Sequence, residues 1–160
     1  MKTPLTSQTQ EAGVLPVALS HARTAYDFEW VAPRLHDRQL LDSSVAVRVF
    51  RAPLLAVPVG GRRRGGCMDA GPVEVALAIR HALSEIPGFP NVRIRLVSPP
   101  GERRNNWVVE WGERLPFRIT DSDRARFYGG ADHCIAEAEA AAERRAVPKR
   151  HSPATTPCGH

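Results

Sequence analysis

Lysine is nearly missing from this chain of 160 residues: among 22 basic residues only Lys2 and Lys149 are lysine, and the others are arginine. Alanine, glycine and proline are abundant beside them, a set whose codons are rich in G and C. Cysteine is scarce. Cys67, Cys134 and Cys158 are odd in number and far apart, which excludes a disulfide framework and a paired CxxC zinc site and leaves free thiols in a reducing compartment as the expectation. No stretch approaches the roughly twenty apolar residues of a membrane span. The N-terminus has neither a basic start nor the apolar run of a signal peptide, so the expected compartment is the cytoplasm, with no membrane partner.

Catalytic signatures are also missing. The chain has no P-loop, no GxGxxG and no GxSxG, and nothing positions His81, His133, Ser84, Ser98 or Asp132 as a nucleophile, base and orienting acid. Asp121-Ser122-Asp123 could hold a divalent ion, but helix capping accounts for the same residues. His133-Cys134 and Cys158-Gly159-His160 supply four N and S donors. Adjacent helical positions point about 100 degrees apart, however, so the first pair would grip one zinc ion awkwardly, and Cys134 reads as a buried helix residue. No enzyme activity, cofactor or metal is expected.

What is present is positive charge, unevenly placed. The net charge is +5 with a pI near 9.7. Residues 1–67 hold nine Lys/Arg against five Asp/Glu, and residues 68–160 hold thirteen against twelve. A basic surplus suggests a polyanionic partner, here weighted toward the first third of the chain.

That first third reads as irregular. Pro16, Pro33, Pro53 and Pro58 interrupt it and GGRRRGG closes it, a density of breakers that works against a packed core. A short helix around 17–26 and a strand over 45–50, with Val45, Val47 and Val49 alternating, are its ordered pieces. Met68 falls where patterning begins, and Arg64-Gly65-Gly66 can be encoded by purine-rich AGG and GGN codons resembling a ribosome-binding site. Two readings follow: Met68 is the true start with residues 1–67 an upstream extension of the frame, or residues 1–67 are a disordered basic tail.

From Pro72 onward the pattern sharpens. Val75, Ala76, Ile79, Ala82, Leu83 and Ile86 form an apolar stripe opposite Glu74, His81 and Glu85, an amphipathic helix ended by Pro87-Gly88. Val92, Ile94 and Leu96 alternate with Arg93 and Arg95 as a strand. Trp107, Val109 and Trp111 alternate with Val108 and Glu110 as a second. Leu115, Phe117 and Ile119 alternate with Pro116, Arg118 and Thr120 as a third, which Pro116 confines to an edge. Thr120, Asp121 or Ser122 can cap a last helical region, secure over Ala131 to Ala146 after Gly129-Gly130 and stopped by Pro148. Residues 148–160 read as a disordered tail. The expected class is α+β, a small αβββα domain over 68–147 with a three-stranded antiparallel sheet, both helices on one face, and an irregular N-terminal extension.

LSEIPGF at Leu83 to Phe89, a valine-rich strand and then Asn106-Trp107-Val108 resemble a loose group of uncharacterised small bacterial proteins, often prophage-associated. The resemblance covers about residues 75–146 and implies no activity. The element order also resembles, in topology only, the double-stranded RNA-binding domain, which reads duplex shape and phosphates. That family clusters lysines at the start of its second helix, where this chain has Gly130-Ala131-Asp132-His133-Cys134.

The sheet face away from the helices would present Arg93, Arg95 and Arg118, and the loop before Trp107 carries Arg103 and Arg104. These five are the candidate nucleic-acid-binding residues; Arg103 and Arg104 could pair phosphate contacts with base stacking on Trp107, whose simpler reading is a core residue on the face of Val109 and Trp111, with the two arginines an ordinary charged loop. Arg62, Arg63 and Arg64 between glycines resemble a single RGG-type segment, whose simpler reading is a solvated linker. The expected function is a binding or accessory module with a protein partner, or else RNA or DNA binding.

Overall fold

Alternation builds strands where the sequence displays it and also where it does not. The computed structural model describes residues 16–49, 52–97 and 106–146. Strands β1 (Ala18–His21), β2 (Val45–Arg48) and β3 (Leu54–Ala56) form an antiparallel meander in that order. A short helix, α1 (Phe28–Val31), and three 3-10 turns connect β1 to β2. The second sheet contains β4 (Gly65–Gly71), β5 (Arg93–Val97) and β6 (Asn106–Gly112), with β6 in the centre and both pairings antiparallel. Helix α2 (Val73–Ser84) joins β4 to β5, while α3 (Asp121–Phe127) and α4 (Asp132–Ala146) follow β6.

Helix α2 has the predicted stripe: Val75, Ala76, Ile79 and Leu83 are buried in a cluster with Met68, Val109 and Trp111 of the second sheet. Trp111, 1% exposed, sits at its centre. Its indole N–H donates to the Val57 carbonyl at 2.9 Å, and Phe89 of the Pro-Gly-Phe turn meets its ring edge-on at 5.4 Å. A Cβ on Gly66 would lie 2.3 Å from that ring, so the strand beside it can carry only glycine there. The same cluster includes Val47 and Ala56 of the first sheet, so the two sheets share one core.

Several expectations need correction here. Residues 1–67 were expected to be irregular, yet residues 16–49 and 52–67 contribute three strands and the first half of a fourth. β4 runs through Met68 without a break, pairing Gly65 with Gly112 and Met68 with Val109. Its glycines hide the alternation that marks a strand, because a sheet position facing a tryptophan ring selects for an absent side chain. The helix expected around 17–26 is instead β1 and a 3-10 turn over Ala22–Thr24.

The strand expected over 115–120 does not form. Pro116 cannot donate to a ladder, Arg118 adopts a left-handed φ of 60°, Phe117 is 91% exposed, and β4 takes the vacant edge of β6. Nor do the helices share a face: α2 covers one side, Phe127 and Tyr128 at the end of α3 reach the other, and α4 packs against α3 with no fully buried residue. The αβββα layout, and with it the order implied by the double-stranded RNA-binding resemblance, is therefore not the fold. The coarser expectation stands, an α+β chain with antiparallel sheets. Among the described residues no helix is long and apolar enough to cross a membrane. The expected tail at 148–160 lies outside them.

Candidate anion-binding groove

The period of two along β5 and β6 puts Arg93, Arg95, Val108 and Glu110 on the face of the second sheet away from α2. Opposite residues in an antiparallel pair share a face, so Cys67 and Asp69 of β4 join them. This face was expected to be open, but Val108 and Glu110 are buried. The chain doubles back over it after Gly112, whose φ of 78° and whose approach to the Arg64 carbonyl again require glycine.

Glu110, 8% exposed, anchors the face. Arg93 Nε donates to one of its carboxylate oxygens at 3.2 Å and Arg95 Nε to the other at 2.7 Å. Arg93 also donates to the Asn91 carbonyl at 3.2 Å and to the Gly112 and Glu113 carbonyls at 2.9 Å each. Its donors are therefore occupied in holding the chain reversal in place, a structural role. Arg95 remains half exposed.

Beside this pair, residues 114–119 and Arg124 of α3 close a groove of about 570 Å³. Its lining brings together Arg93, Arg95 and Arg118, the last from a loop and not from the expected strand, and adds Arg114 and Arg124, which sequence reading missed. Five guanidinium groups face one carboxylate, Glu110. Among the described residues Arg114, Arg118 and Arg124 form no salt bridge, and all three are exposed. Arg103 and Arg104 lie outside the described residues.

A larger cavity of about 850 Å³ lies across residues 116–119, between α3, α4 and the Gly60–Arg63 turn. Apart from Arg118, which it shares with the groove, its arginines are paired: Arg62 with Asp132 at 3.2 Å, Arg64 with Glu113, and Arg126 with Asp123 at 2.9 Å and with Glu139. Size alone therefore does not mark the site. The smaller groove has the uncompensated charge.

GGRRRGG is neither linker nor tail. Arg62 ties to α4 through Asp132, and its backbone N–H donates to Asp37 at 2.7 Å. Arg64 packs over Phe127 and reaches Glu113. Arg63 is partly buried between the Val57 and Tyr128 carbonyls, to both of which it donates. Burial lowers its pKa from the usual arginine range to about 10, opposed by its attraction to Cys67 and Tyr128. The Tyr128 hydroxyl and Cys67 Sγ are 3.3 Å apart, and burial, then that bond, raises the Tyr128 pKa well above 10.

Both tyrosines of the chain are raised by burial, Tyr26 with its hydroxyl donating to the Pro53 carbonyl at 2.7 Å. A phenol whose pKa rises on folding contributes stability that is present below pH 10 and fades as pH climbs through the folded value. Arg63 has the opposite sign: between pH 10 and 12.5 the unfolded chain holds more protons, so its contribution grows with pH. Tyrosinate absorbance of the folded protein at pH 10 is thus expected to be well below the half-ionised level that a denatured control shows. Equal absorbance in the two samples would show that neither phenol is shielded.

Fold and groove define an α+β protein of two antiparallel sheets around one core, with an arginine-lined recess on the outer face of the second. The chain belongs to a family of unknown function (DUF6302), whose model matches residues 19–159 and so takes in both sheets. No curated protein and no solved structure matches it.

Proposed function

We propose that this protein is a nucleic-acid-binding module that holds the phosphate backbone in the groove between β5, residues 114–119 and α3. The observation that carries the reading is the convergence there of Arg114, Arg118 and Arg124, with no carboxylate partner among the described residues, beside the half-exposed Arg95. Guanidinium groups favour phosphate because their planar fork offers paired N–H donors and their charge never titrates away at neutral pH. Lysine, nearly absent here, would supply only a point charge.

Phosphate binding releases counterions, so affinity should fall with salt in proportion to the number of contacts. With three arginines that lack a carboxylate partner among the described residues, log K for a labelled oligonucleotide plotted against log salt is expected to slope at about −2 for a single strand. Anisotropy titration between low and moderate salt measures it. Absence of binding at the lowest salt, or affinity that ignores salt, would refute the reading.

A further inference from the structure

The loop over the groove carries a second feature that charge does not explain. Phe117 is 91% exposed, more than any other large apolar residue among those described, and it lines the groove beside Arg118. Pro116, Arg118 and Ile119 line both the groove and the larger cavity, so Phe117 lies on the ridge between them. Pro116 fixes its own φ, and Arg118 takes a left-handed conformation that non-glycine residues rarely adopt. The ring thus stands out from a constrained backbone, with the Arg118 guanidinium 5.8 Å from its centroid.

Resting on the reading above, we infer that Phe117 is a stacking platform for an unpaired base and that the groove selects single-stranded over duplex nucleic acid. Every base has a π face, and an aromatic ring beside a cationic track binds it whatever its sequence. In a duplex those faces are covered by neighbouring base pairs, so only a strand with splayed bases can use ring and arginines together. An acidic polypeptide would meet the arginines but leave the ring unused.

Anisotropy titrations at fixed low salt decide the matter, with four probes: labelled oligo(dT), the same strand annealed to oligo(dA), heparin and poly-L-glutamate. Wild-type protein should bind the single strand most tightly. Phe117→Ala should weaken that binding about tenfold, leave duplex and heparin affinity in place, and be rescued by Phe117→Trp. Its solvent position keeps the fold out of the comparison, which a matching thermal melt checks. Unchanged single-strand affinity in Phe117→Ala would overturn the stacking role while leaving the arginine groove standing. An equal loss on heparin would overturn it too, by showing that the ring acts on charge placement. If wild-type protein binds poly-L-glutamate and no nucleic acid, or binds none of the probes, the groove reading itself fails.

Discussion

A chain beginning at Met68 is expected not to fold cooperatively. Removing residues 1–67 takes away β1, β2 and β3 and leaves β4 without Gly65, Gly66 and Cys67. Val47 and Ala56 are fully buried against the cluster of Ile79, Val109 and Trp111, so the remaining core would open along one side. Re-exposing a buried valine or isoleucine costs about 1.5–3 kcal/mol each. The Trp111 indole N–H would lose its Val57 acceptor, about 1–3 kcal/mol if it stays buried. Arg63, which donates to the Val57 and Tyr128 carbonyls, would go as well, leaving the end of α3 without that tie. These losses together reach the 5–15 kcal/mol that holds an ordinary domain. Thermal melting by circular dichroism and the amide dispersion of residues 68–160 against 1–160 provide the measurement. A sharp transition with dispersed amides in the shorter chain would restore the boundary at 68.

The boundary was misjudged for a physical reason. Sequence periodicity registers side chains, and β4 is a strand whose key positions are places where side chains must be missing. Gly66 leaves room for the Trp111 ring, and Gly65 for Phe127 and the Trp111 carbonyl. Read along the chain these glycines are breakers; read across the sheet they fit two aromatic rings. The three arginines just before them looked solvated because their partners are distant in sequence: Asp132 for Arg62, Tyr128 for Arg63, Glu113 for Arg64. By contrast α2, β5, β6 and α4 were legible because their periods are local. Of the three caps offered for the last helical region, Thr120 is the one used, on the separate helix α3, its hydroxyl accepting from the Asp123 N–H at 3.1 Å.

The site was half legible. Alternation along β5 and β6 correctly set Arg93, Arg95 and Glu110 on the face away from α2, but could not show that Glu110 would be buried and claim both arginines. Arg118 was grouped with them as part of a strand; it faces the same groove from a loop. Arg114 and Arg124 had no signal of their own. They meet only because the chain reverses at Gly112 and returns through α3, a tertiary event whose one local trace is a glycine followed by charged residues.

The reversal of charge at Arg114 and Arg124 is expected to abolish binding while sparing the fold. Both side chains are exposed and form no salt bridge among the described residues, so Arg114→Glu with Arg124→Glu should change stability by no more than about 0.5 kcal/mol per site. At the groove each substitution turns an attraction for phosphate into a repulsion. Screened pairs near a surface interact by about 1 kcal/mol or more, so two reversals should weaken oligonucleotide binding on the order of a hundredfold or beyond. The neutral pair Arg114→Gln with Arg124→Gln gives the finer check, because removing two contacts should flatten the single-strand salt slope by about 1.4. Arg93→Gln supplies the contrast. It strips donors from Glu110 and from the Asn91, Gly112 and Glu113 carbonyls, and leaves a buried carboxylate short of a partner, so it should lower stability by about 2–4 kcal/mol. Its salt slope should stay near that of the wild type in whatever fraction remains folded. If the double Glu variant binds as tightly as the wild type, the uncompensated arginines are surface charge and the groove is not where nucleic acid lies.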